Sequence, residues 1–222
     1  VKVSFVGHPL LEVVKPNAGR VETLAKLGLN PNRPVIALLP GSRRGEVTRH
    51  LPAMAEAALE LSRERKAQFF CIRAPTINRE ELRSWLDQTG VQMPIIEDDR
   101  YGAIQASDVA WTASGTATVE IALLGRPMII MYRLAWLTYL IARWLVRVDH
   151  IGMVNLIAGE RLMPELIQRD VNPKRIAVET RILLDDTKTR DRITEELSKL
   201  RQRLGAPGAA ERVAELAFSM MR

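Results

Sequence analysis

Two short stretches carry residue types that together could hold a phosphate. The first is Pro40-Gly41-Ser42-Arg43-Arg44-Gly45-Glu46. Glycines let a backbone approach a ligand closely, and free N–H groups at a helix start attract anions. Arg43 adds a planar fork that matches phosphate oxygens. The stretch is not a Walker A loop, because Gly45 is followed by Glu46 where that motif needs Lys. No G-x-G-x-x-G fingerprint occurs, which argues against NAD or FAD. An ordinary solvated turn is the competing reading. The second stretch is Ala113-Ser114-Gly115-Thr116, with Glu120 expected on the first turn of the helix that follows. Small residues there leave room for a diphosphate at a helix N-terminus, and the carboxylate could accept bonds from ribose hydroxyls. A plain N-cap by Ser114 or Thr116 is the alternative. A capping hydroxyl needs no neighbouring glycine, however, and Glu120 is an acid among Val119, Ile121 and Ala122.

Other candidates carry less. His8, His50 and His150 lack metal-ligand spacing, so no metal site is expected. The pairs Asp98-Asp99 and Asp185-Asp186 read as solvated surface. No Gly-x-Ser-x-Gly elbow anchors a hydrolase triad. Asn155, flanked by Met153-Val154 and Leu156-Ile157, must find polar partners or face a ligand. Leu134–Val148 reads as a helix with an apolar stripe beside a stripe of Trp136, Tyr139, Arg143 and Arg147, with Trp144 on the apolar side. Apolar surface edged by Trp and Arg is the composition of an interfacial anchor. A core helix or a dimer interface would read the same way.

The elements that must position the two loops follow from the apolar pattern. Val35–Leu39, Gln68–Ile72, Pro94–Ile96, Val109–Thr112 and Met128–Met131 read as strands. Helices are expected over 49–65, 78–88 (capped by Asn78 with Glu81), 101–106 and 116–124 (closed by Gly125). A further helix starts at Pro173, and two more cover about 188–204 and 209–221. Residues 150–160 read as loop. Strand and helix alternate over 35–131, which implies right-handed crossovers and a Rossmann-like, doubly wound parallel sheet with C-terminal helices. Ligands of such sheets bind beyond the carboxyl ends of the strands, where both loops fall. The domain reading is a crossing segment over 1–20, the sheet domain over 21–185 and C-terminal helices over 186–222.

Composition bounds the class. With 222 residues, 47% hydrophobic and 26% charged, the chain is a globular domain large enough for its own core. The single Cys71 excludes an internal disulfide and thiolate zinc, which fits a reducing cytoplasm. No apolar stretch reaches the length of a spanning helix. Against 26 acids stand 32 Lys and Arg, and arginines concentrate at Arg43, Arg44 and Arg49 and over 126–149. Such a surplus suits phosphate, an anionic membrane face or nucleic acid. Nucleic acid is the weakest of these, because no interleaved aromatic platform accompanies the charge.

Taken in order, Phe5-Val6-Gly7-His8-Pro9-Leu10, Leu39-Pro40-Gly41-Ser42-Arg43-x-x-Glu46-Val47, Ala113-Ser114-Gly115-Thr116-Ala117-x-x-Glu120, Pro127-Met128 with Tyr132-Arg133, and Asn155-Leu156-Ile157-Ala158-Gly159 resemble the lipid-A-disaccharide synthase family. The resemblance implies the C-terminal, donor-binding half of a GT-B fold, with Gly7-His8-Pro9 at the crossing between halves. It implies transfer, with inversion, of 2,3-diacylglucosamine from its UDP derivative to 2,3-diacylglucosamine 1-phosphate. It implies donor contacts from Gly41, Ser42, Arg43, Glu46, Ser114, Gly115, Thr116, Glu120 and Asn155, and no cofactor. Arg43, Ser114, Gly115 and Thr116 would face the diphosphate, Glu120 the ribose. The catalytic base would belong to an N-terminal half-domain, as a partner in the same or a separate chain. The implied location is the inner face of the inner membrane of a Gram-negative bacterium, with an anionic lipid surface and a possible homodimer as further partners. Another UDP-sugar enzyme of GT-B fold, or a non-catalytic nucleotide- or membrane-binding half-domain, remain as alternatives.

Overall fold

The computed structural model describes residues 3–136, 139 and 149–221. Six parallel strands form one sheet in the order β3-β2-β1-β4-β5-β6. They are β1 (Val35–Leu39), β2 (Gln68–Ile72), β3 (Ile95–Ile96), β4 (Val109–Ala113), β5 (Met128–Tyr132) and β6 (Glu165–Ile167). β1 and β4 are buried along their whole length, as continuous apolar runs covered on both faces must be. Trp111 of β4 has no solvent exposure; its ring meets Phe69 at 5.5 Å between centroids, and its Nε1–H donates to Thr180 Oγ1 at 2.9 Å.

α1 (Leu10–Val13) and α2 (Arg20–Lys26) precede the sheet, and α3 (Arg44–Arg65), α4 (Arg79–Gln88), α5 (Arg100–Ala106) and α6 (Thr116–Leu123) connect its strands. α3 begins at Arg44 rather than at 49, because the Glu46 side chain accepts from the N–H groups of Ser42 and Arg43 and fixes the turn just before it. Small buried residues, Ala53, Ala55, Ala57 and Ala58, let its backbone lie close to its neighbours. Asn78 caps α4 by accepting from Glu81 N–H at 3.0 Å. The Glu81 carboxylate does not return to Asn78; it pairs with Arg44 at 2.7 Å. The helix Pro173–Asp185 packs on α3, and the helix Thr187–Arg203 on α6. Leu197 and Leu200 of the latter belong to the common core.

Two further expectations need correction. Residues 150–160 are not all loop, since Met153–Ala158 is helical between Gly152 and Gly159. A sixth strand, β6, pairs with β5, with Met131 opposite Leu166. At the far end of the chain, Glu12 accepts from Gly208 and Ala209 N–H, and Arg212 donates to Val6 O at 2.9 Å, so the opening segment is tied to the last helix, Ala209–Met220.

The strand order decides where a ligand can sit. From β1 the chain winds outward to β2 and β3, then returns to lay β4 on the other side of β1. Loops leaving β1 and β4 therefore diverge, and a crevice opens between them at the carboxyl edge.

Candidate functional site

A cleft of about 350 Å³ occupies that crevice. Gly41, Ser42 and Glu46 line one wall; Ser114, Gly115, Thr116, Ala117 and Glu120 line the other. The two loops picked out by residue type thus share one rim. The volume lies within the range of small-molecule sites. A larger groove of about 490 Å³, lined by Thr48, Leu51, Pro52, Glu56 and Trp85 among others, runs along the flanks of α3 and α4, away from the strand ends.

The β1–α3 turn is built around Glu46. Its Oε2 accepts from Ser42 N–H at 2.9 Å and Arg43 N–H at 3.3 Å, and its Oε1 from the Arg43 guanidinium at 2.9 Å. Gly41 has φ 137°, and a Cβ there would stand 2.5 Å from Glu46 Cβ, so only glycine fits. These contacts change the sequence reading in one respect: a carboxylate of the chain itself already occupies two N–H groups of the turn, those of Ser42 and Arg43. Glu46 shapes the turn, and Arg43, 83% exposed along its side chain, stands outside the cleft lining.

The opposite wall is different. Gly115, φ 150° and ψ −162°, precedes α6, and no side chain caps the helix. The first N–H groups of α6 therefore open onto the cleft with the positive end of the helix dipole behind them. Ser114 is braced: its N–H donates to Met131 O at 2.9 Å and its hydroxyl to Ile151 O at 3.0 Å. Thr116 is exposed at the rim. Glu120 sits one turn further in than expected and is only 7% exposed; Arg100 pairs with it and the Tyr101 hydroxyl lies 3.3 Å from its Oε1. Burial, then the negative charge of Glu120, raises the Tyr101 phenol above its ordinary value.

Four contributors escaped the sequence reading. Arg73 and Thr76, on the loop after β2, line the cleft, and Thr76 Oγ1 donates to Ser42 O at 2.5 Å, stitching a third loop to the first. Arg100 lines it too, and Tyr101 supports Glu120 from the start of α5. Arg73 is held by Glu97 at 2.6 Å. The position of Arg73–Thr76 directly after a strand was the available signal. Asn155, expected in the donor pocket, is not brought there. It is fully buried and its amide is consumed: Nδ2 donates to Met163 O at 2.9 Å and Glu165 Oε1 at 2.8 Å, and Oδ1 accepts from Met163 N–H at 2.8 Å.

Of the helix expected to touch a membrane, Arg143, Trp144 and Arg147 lie outside the described residues. Trp136 is 60% exposed, with the Arg169 guanidinium 6.0 Å from its ring centre, and Tyr139 is half-buried. Among the described residues no helix is long and apolar enough to cross a membrane.

His50 supports the first loop from below. It is 2% exposed, and its Nδ1 lies 2.9 Å from Pro40 O; a carbonyl only accepts, so Nδ1 carries the proton. Burial is the main cause lowering its pKa below the ordinary 6.5, with the Pro40 bond pulling the other way. The unfolded chain therefore takes up a proton first, and stability present above pH 6.5 is lost as pH falls below it. Urea unfolding midpoints are expected to decrease between about pH 7.5 and 5.5. In His50→Gln that part of the decrease should flatten; equal slopes in both proteins would discount His50.

The parallel sheet, its strand order and a cleft at the switch point define a Rossmann-like, doubly wound domain, the fold of one half of a GT-B structure. Solved structures of that class superpose on the chain: WaaG, a glycosyltransferase involved in lipopolysaccharide biosynthesis, has a TM-score of 0.60 at 14% identity, covering 91% of this chain and 51% of WaaG. A UDP-N-acetylglucosamine 2-epimerase has a TM-score of 0.54 at 13% identity, covering 90% and 49%. At such identities the likeness concerns fold alone. Sequence is more specific, for the family model described as lipid-A-disaccharide synthetase matches residues 1–217, and the chain belongs to that family. Relatives named lipid-A-disaccharide synthase include one from Syntrophus aciditrophicus, 47% identical over all of this chain and 58% of the relative, and one from Geobacter sulfurreducens, 43% identical with the same coverage. The chain thus spans a little over half the length of these relatives.

Proposed function

We propose that the chain is the donor-binding half of an inverting glycosyltransferase that moves 2,3-diacylglucosamine from UDP to 2,3-diacylglucosamine 1-phosphate, giving lipid A disaccharide 1-phosphate and UDP. The observation that carries this reading is the cleft between the β1 and β4 loops, in a chain of this family. In the reaction the acceptor hydroxyl attacks the sugar C1 from the face opposite UDP and forms the new C1–O bond, a base takes its proton, and the bond from C1 to the β-phosphate oxygen breaks with its electron pair staying on UDP. Here the uncapped start of α6 would meet the diphosphate, stabilising the charge that builds as the bond breaks, and Glu120 would accept from the ribose hydroxyls. Arg43 would reach the phosphates from the rim by leaving Glu46. No residue of this chain is assigned as the base; the remainder of a full-length relative would supply it, together with the acceptor contacts. The aromatic and basic segment after β5 would rest on an anionic lipid face, where both acylated substrates reside.

The test is calorimetric titration of the chain with UDP. Binding is expected, and Arg43→Ala should weaken it about tenfold, the scale of one charge-assisted hydrogen bond partly screened at an exposed rim. An unchanged affinity would release Arg43 from the site, and no binding at all by the parent chain would overturn the nucleotide reading.

A further inference from the structure

Glu120 poses an electrostatic problem. A carboxylate lining a cleft that receives a diphosphate repels it, and more strongly because a cleft screens less than bulk water. The same carboxylate is too buried to be neutralised by solvent, at 7% exposure. Arg100 answers both points. Its guanidinium donates to Glu120 Oε2 and lies over the Tyr101 ring at 4.9 Å, while the Tyr101 hydroxyl takes Oε1 at 3.3 Å. An ionised carboxylate offers about four lone-pair sites, so one donor on each oxygen leaves acceptor capacity on both for a pair of vicinal hydroxyls. Arg100 is not required to build α5. Asp99 caps that helix through Gly102 N–H at 3.2 Å, and Ala103, Ile104 and Ala106 bury its apolar face. Its Nε is buried and has no partner among the described residues, so the side chain is held chiefly by Glu120 and the Tyr101 ring.

We propose that Arg100 is a positioning residue: it cancels the charge of Glu120 against the phosphates and fixes the carboxylate with its free acceptor sites toward the ribose of a bound nucleoside diphosphate. This rests on the nucleotide reading above, and the test separates the two. UDP and 2′,3′-dideoxy-UDP are titrated into the parent chain, Arg100→Gln and Arg100→Lys, and the ratio of the two affinities is followed. The parent chain should prefer UDP by about tenfold or more, the value of hydroxyl bonds to a charged acceptor. In Arg100→Gln the ratio should shrink to about twofold as the carboxylate loses its orientation, and Arg100→Lys, which keeps the charge without the planar fork, should fall between. A merely structural Arg100 would weaken both ligands equally and leave the ratio intact, which overturns the proposal. Equal binding of both ligands by the parent chain removes the ribose assignment of Glu120 and this proposal with it. If circular dichroism shows Arg100→Gln unfolded, Arg100→Lys alone decides, and a ratio equal to the parent's overturns the idea.

Discussion

Gly115→Ala is expected to cost roughly 30-fold or more in UDP affinity while leaving a folded protein. Two causes add. Gly115 sits at φ 150° and ψ −162°, a region open in practice only to glycine, so any side chain strains the turn by about 1–3 kcal/mol. The new methyl would meet no protein atom within 4 Å, and Gly115 lines the cleft, so the methyl projects into space the ligand needs. The contrast with Gly41 is informative. There a Cβ would strike Glu46, a collision inside the protein, and the turn itself would have to move. Titration with UDP, paired with urea unfolding, separates the two effects for Gly115. Unaltered affinity at full occupancy would mean that the diphosphate does not approach the α6 start, and the site would have to be drawn elsewhere.

Asn155→Ala should do the reverse, with a large loss of stability and little change in binding. Three hydrogen bonds disappear together, and the buried N–H and C=O of Met163 lose their side-chain partner. At about 1–3 kcal/mol for each buried group left unsatisfied, a loss near 3 kcal/mol is expected after relaxation, readable as a lower urea midpoint at constant slope. UDP affinity of the folded chain should stay within about threefold, because the residual effect travels through Glu165, Ile151 and Ser114 rather than by contact. A tenfold loss of affinity with unchanged stability would return Asn155 to the donor pocket.

These two residues also mark how far the sequence could be read. The strands at the centre of the sheet were legible because burial on both faces demands uninterrupted apolar runs, as in Val35–Leu39. Loops at their carboxyl ends were legible because glycine and proline punctuate them. β6 was not, since only Leu166 of its three residues is fully buried and Glu165 turns its carboxylate to the N–H groups of Ile151 and Gly152. Without β6, the partner of Asn155 cannot be named, so residue type alone leaves its amide open to polar partners or a ligand, and only the family resemblance points to the donor pocket. The helix Met153–Ala158 was hidden by the glycines that flank it, Gly152 and Gly159, because six residues are too few for its periodicity to stand out. Arg100 and Glu120 lie 20 positions apart, and their pairing exists only because β3 and β4 flank β2 and β1 in one sheet. Residue type can nominate a carboxylate, but the cation that restrains it comes from the winding of the chain.

The Glu46 clasp has a consequence for association energetics. Because the backbone N–H groups of Ser42 and Arg43 are already held by an internal carboxylate, the conformational entropy of that turn's backbone is given up when the chain folds. A nucleotide arriving at the crevice finds one wall preorganised and loses little of its interaction energy to ordering it. Relaxing the clasp, as in Glu46→Gln, would shift that cost from the folding step to the encounter with ligand.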